Sequence, residues 1–116
     1  MATLTRVRTN LVTASETDFS SGVRYVRPAY ETTLNALLVR RASFQVTFAN
    51  YTSVVVNAQV QIDGTNWQDI SGATTSTSGD IVGFDVPPCR QFGILVTATL
   101  SGSADTLTLD IVEDVE

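Results

Sequence analysis

The stretch Ser53 to Ile70, SVVVNAQVQIDGTNWQDI, decides the fold. Val54, Val56, Ala58, Val60 and Ile62 recur at every second position, with Ser53, Asn57, Gln59 and Gln61 between them. That alternation is what a half-buried antiparallel strand requires. Asp63-Gly64 supplies the positive φ angles of a tight primed turn or a bulged loop, so the stretch reads as a hairpin. Asp63 is also the residue type of a calcium ligand or an acid catalyst, but an Asp before Gly is favoured by turn chemistry alone. Trp67, the sole tryptophan, is expected to lie as an aromatic lid over the sandwich edge, with an exposed ligand platform as the competing reading.

Outward from this hairpin the chain is rich in valine and threonine and poor in strong helix formers, which predicts an all-β fold. Leu4 to Val12 reads as a weak first strand, and the polar run Thr13 to Ser21 separates it from a second at Val23 to Arg27. Thr32 to Val39 is read as a strand, and Ala42 to Ala49 as another, with Phe44, Val46 and Phe48 inward. Ser71 to Asp80 has only small side chains and is expected as a mobile surface loop. Ile81 to Val86 resumes a strand that Pro87-Pro88 ends. Phe92 to Leu100 and Thr106 to Val112 alternate again, joined by a turn at Ser101 to Asp105. About seven or eight strands at such spacing imply a single-domain antiparallel β-sandwich, immunoglobulin-like or jelly-roll. The expected inner faces carry Phe44, Phe48, Val60, Ile62, Phe84, Phe92, Ile94, Val96, Leu107 and Leu109. Residues 1–31 are expected as a partly extended arm or interface segment.

The length of 116 residues suits one domain with its own core. Cys89 is the one cysteine, so no disulfide forms within the chain and synthesis in a cytoplasm is expected. No apolar targeting segment or membrane-length run is visible. Histidine and lysine are both absent, and all seven basic residues are arginine. Arginine is the cation of planar, partly desolvated contacts and is enriched at interfaces. Six of those arginines fall in residues 1–41 against three acids, while residues 42–116 hold one arginine against nine acids. Such polarity suits contact with a complementary protein surface. Arg6, Arg8, Arg24, Arg27, Tyr25 and Tyr30 are therefore the expected partner-binding residues. A net charge of −5 argues against nucleic acid as a ligand.

The carboxylates carry no catalytic or metal-binding pattern. Asp63 and Asp69 flank the hairpin, Asp80 and Asp85 flank a strand, and Asp110, Glu113, Asp114 and Glu116 crowd the carboxy end. None has the ligand spacing of a calcium loop, so they read as solvated outer faces. The serines have no histidine to activate them. Arg90 beside Cys89 would depress the thiol pKa, but a lone cysteine after two prolines is expected to be inert packing. The chain is thus expected to have no catalytic activity, cofactor or metal. Leu95, Val55 and Val112 fall opposite the inward sets of their strands, which predicts contact surfaces and a homo-oligomer, expected as a trimer.

The succession of an alternating strand, Asp63-Gly64-Thr65-Asn66-Trp67, a polar loop, a strand closing in Pro87-Pro88, and Arg90 leading to a final hairpin through Ser101-Gly102-Ser103 resembles small all-β virion proteins of tailed bacteriophages. The resemblance covers residues 42–112. Among such proteins are capsid decoration or cement proteins and tail components. It implies a β-sandwich that oligomerises and binds and stabilises the assembled head, with the major capsid protein or sister subunits as partners and the capsid exterior as its location. The rival reading is a carbohydrate-binding module or phage tail component in which Trp67, Tyr25, Tyr30 or Tyr51 is a stacking platform. The position of Trp67 separates them: under the hairpin it favours the lattice reading, in an exposed concave patch it favours sugar.

Overall fold

A computed structural model describes residues 4–31 and 37–115. These form strands β1 (Leu4–Ser15), β2 (Phe19–Pro28), β3 (Tyr30–Glu31), β4 (Leu37–Ala49), β5 (Ser53–Gln61), β6 (Trp67–Thr75), β7 (Ile81–Asp85), β8 (Gln91–Thr99) and β9 (Thr106–Val115). All described pairings are antiparallel. One sheet runs β1-β9-β4, with β3 and β7 on the far side of β4, and the other runs β2-β8-β5-β6.

The pairings are nested about the turn at residues 62–66. β5 pairs with β6, β4 with β7, β2 with β8 and β1 with β9, as if the chain were doubled at Asp63-Gly64 and then rolled. Setting aside the two-residue β3, that is the strand order of a jelly roll. The two sandwich topologies left open by the sequence are thereby resolved. The turn itself is held by Asp63, whose Oδ1 accepts from the Thr65 and Asn66 amides, both at 2.8 Å. Gly64 takes φ 85°, a conformation that side chains disfavour.

The core lies between the sheets. Phe44, Phe84, Leu109 and Ile111 come from one sheet, Phe92, Ile94, Val56 and Ala58 from the other, and all are buried. Phe44 meets Phe84 at 6.2 Å between ring centres, and Phe84 meets Phe92 of the opposite sheet edge-on at 6.1 Å, within the favourable range for aromatic pairs. Two expected core residues differ. Ile62 is 67% exposed because pairing ends at Gln61 and the chain leaves the sheet before the alternation does. Phe48 is only half-buried, near the end of β4.

Several other expectations are corrected. Ser71–Thr75 is strand, not loop: Ala73 and Thr75 are buried, and the register breaks between Asn57 and Gln59 as β6 bulges. The separation between the first two strands shrinks to residues 16–18, and β2 begins at buried Phe19. Residues 4–31 supply edge strands of both sheets, so any contact made through that segment is made from within the sandwich. The expected strand over Thr32 to Val39 lies partly outside the described residues; Leu37–Val39 belongs to β4.

Candidate functional site

Alternation along β2 sends its side chains to opposite faces of the four-stranded sheet, and the arginines divide between them. Arg27 lies opposite Phe92 on the inner face. Its Nη2 and Nε donate to the two carboxylate oxygens of Glu113, at 2.7 and 3.1 Å. Glu113 is 1% exposed, so this forked pair ties β2 to β9 across the sandwich. Arg27, expected at a partner surface, is instead an internal brace. Glu113 is correspondingly not a solvated carboxylate, nor are buried Asp110 and Asp105.

Arg24 lies on the outer face. The register sets it in a row with Leu95, Asn57 and Thr74, next to the rows Val26-Gly93-Gln59-Asp69 and Pro28-Gln91-Gln61-Trp67. Trp67 leans in from the β6 edge and Arg24 from the β2 edge, and they meet over Gly93. The guanidinium carbon sits 4.5 Å from the ring centre, a cation–π contact. A Cβ on Gly93 would fall 2.9 Å from Arg24 Cγ and 3.3 Å from Trp67 Cζ3, so this meeting requires glycine beneath it. Under the pair, Gln59 and Gln61 are 8% and 7% exposed although they point away from the core.

Gln59 is the centre of a relay. Its Oε1 accepts from Arg24 Nε at 2.8 Å and its Nε2 donates to Asp69 Oδ1 at 2.8 Å. Asn57 Nδ2 donates to the same oxygen at 2.8 Å. A buried amide thus fixes a cation and a carboxylate on either side of itself. Exposed Val26 and Val55 border them. The face combines Trp, Arg and apolar rim, the composition of protein-contact hot spots.

The remaining expected site residues go elsewhere. Tyr25 lies on the inner face opposite Ile94 and packs against the core, where burial raises its pKa. Tyr51 is 7% exposed, with its hydroxyl donating to the Thr17 carbonyl at 2.6 Å and its ring against Phe19; it is a core residue, not a ligand platform. Arg6 and Arg8 lie on β1 and Tyr30 on β3, with side chains outside the described residues. Burial raises the Cys89 thiol pKa, against the lowering expected from Arg90. Asp105 is buried beneath the turn it follows. Desolvation would raise its pKa, but the Ser101 hydroxyl and the amides of Gly102, Ser101 and Ser103 outweigh it and hold it low.

Sequence reasoning misses Gln59, Asp69 and Gly93 as parts of a site. Alternation places Gln59 correctly on the outer face, but nothing local indicates that Arg24, 35 residues away, covers it.

The fold and its outer-face cluster define a jelly-roll sandwich whose most constructed surface is a sheet face. No protein-family model matches the sequence, and no curated protein matches it. Among solved structures, the crystal structure of the SPBc2 prophage-derived protein YomS has a similar fold, with TM-score 0.61 and 11% identity over 98% of this chain and 96% of that one.

Proposed function

We propose that this chain is a non-enzymatic structural protein of a phage virion, a decoration or cement protein that binds the exterior of the assembled head as a homo-oligomer and stabilises it. The observation that carries this reading is the likeness, over nearly the full length of both chains, to a prophage-derived protein. The outer face supports it: its polar groups are tied to one another around Gln59, as suits a preorganised contact surface. The carbohydrate reading loses Tyr51 to the core, and the Trp67 ring already carries Arg24. The absence of histidine removes the commonest general base.

The test is to add the purified protein to heads of the parent phage assembled without it. Saturable co-sedimentation and a higher temperature of genome release are expected. Absence from the head, or presence only in the tail, would overturn the decoration reading.

A further inference from the structure

We infer that Asp63 is a latent site of backbone modification, its conversion to isoaspartate through a cyclic imide with Gly64, and that the Asn66 side chain keeps it dormant. Asp63-Gly64 is the only Asp-Gly or Asn-Gly pair in the chain. Imide formation begins when the amide nitrogen after an aspartate attacks that residue's own Cγ, and a bulky side chain on the following residue hinders the approach. Every other aspartate is followed by Phe, Ile, Val or Thr. Gly64 has no side chain, and a Cβ placed on it would meet nothing within 4 Å, so the nitrogen beside Asp63 is open. Both residues are exposed, and solvent reaches them.

The reaction needs no partner but water. The Gly64 nitrogen bonds to Asp63 Cγ, the Cγ–OH bond breaks, and the hydroxyl leaves as water with the amide proton. Water then opens the ring at either carbonyl, returning aspartate or leaving isoaspartate, in which the backbone runs through the side-chain carbon. Hydroxide leaves poorly from a carboxylate anion, so the carboxyl must first take up a proton and turn out of its present bonds. Those bonds are well made: Oδ1 accepts from the Thr65 and Asn66 amides, each at 2.8 Å, and Oδ2 from Asn66 Nδ2 at 2.6 Å. They favour the charged form and hold the carboxyl over the turn. At a pKa of about 2 the neutral acid is rarer than in an unrestrained chain by about tenfold or more. Among these donors only Asn66 Nδ2 belongs to a side chain, so it is the one a substitution removes. Modification would be felt in the sheet. An added backbone carbon falls between Gln61 and Trp67, which the hairpin pairs, and would move Trp67 relative to Arg24.

Ageing in neutral heavy-oxygen water tests this, because each passage through the imide puts one oxygen from the water into the Asp63 peptide, and mass-spectrometric mapping finds both that label and the isoaspartate. Wild type unfolded in urea should react fastest, and native wild type slower by about tenfold or more. Native Asn66→Ala should react several-fold faster than native wild type. Thr65→Ala keeps its backbone amide and removes no bond to Asp63, so it should match wild type. Circular dichroism and Trp67 emission establish that each variant starts folded. As Asn66→Ala ages, its emission should shift in step with the isoaspartate fraction. Native wild type as reactive as the unfolded chain, a comparison that needs no variant, would overturn the inference. Asn66→Ala no faster than wild type, or Thr65→Ala as fast as Asn66→Ala, would overturn the role of the Asn66 side chain.

Discussion

Arg27 and Arg24 lie three residues apart on one strand, yet the two faces of the sheet give them different work. On the inner face, Arg27 meets a carboxylate that is almost wholly withdrawn from water. On the outer face, Arg24 spans a glycine, donates to a buried amide and lies over the Trp67 ring. An ion pair between sheets, once desolvated, is costly to break from one side, because the surviving charge stays buried. A cation lying on an exposed sheet contributes less to stability and more to recognition. The same residue type therefore ties the two sheets together on one face and caps a buried amide on the other.

The division can be broken most severely from the inside. Ile94→Ala removes a side chain that is 0% exposed and should cost about 4 kcal/mol, measured by urea denaturation. Phe48→Ala, at a half-buried position, should cost clearly less. Gly93→Ala attacks the outer face from beneath. The new methyl must displace Arg24 or Trp67, and overpacking of that kind should cost about 1 to 2 kcal/mol. Because Trp67 is the only tryptophan, its emission reports the displacement directly and should shift to longer wavelength. An unchanged spectrum would mean that the pair does not close over Gly93.

Acid gives the smallest effect, and it acts at two turns. Asp63 is held at a pKa of about 2 by the backbone amides of Asn66 and Thr65 and by the Asn66 side chain. Asp105 is also held below its ordinary value. For both, the folded state binds its proton less readily than the unfolded chain does. Their contribution is therefore complete above the ordinary carboxylate range, about pH 4 to 5, and is lost as pH falls below it, for Asp63 toward about 2. Asp63→Asn should flatten part of that decline while leaving the melting temperature at pH 7 little changed. A decline as steep as that of the wild type would show that Asp63 contributes nothing to it.

How much of this was legible in the sequence follows the range of the interactions. The alternation of β5, β8 and β9 and the Asp63-Gly64 turn are local, and the sequence displays them plainly. Ile62 misled because its periodicity outruns the hydrogen-bonded strand. Ser71–Thr75 misled because small residues suffice where a bulged edge strand lies under its neighbours. The nested pairing, which selects the jelly roll, links positions as distant as Leu4 and Val115, and no local pattern encodes it. The candidate site was half visible. Trp67 and Arg24 stood out as residue types, but their meeting depends on a glycine in a third segment. Arg27 and Glu113, 86 residues apart, looked alike solvent-facing because charged residues seldom lie between sheets.

The central claim, that Arg27 holds the fold from the inner face while Arg24 contributes less from the outer one, is tested most directly by comparing Arg27→Ala with Arg24→Ala in urea denaturation at neutral pH. Loss of Arg27 removes a forked ion pair from a carboxylate that is 1% exposed and should cost about 3 kcal/mol. Loss of Arg24 removes one hydrogen bond and a cation–π contact and should cost about 1 kcal/mol. Equal costs, or a larger one for Arg24, would contradict the account.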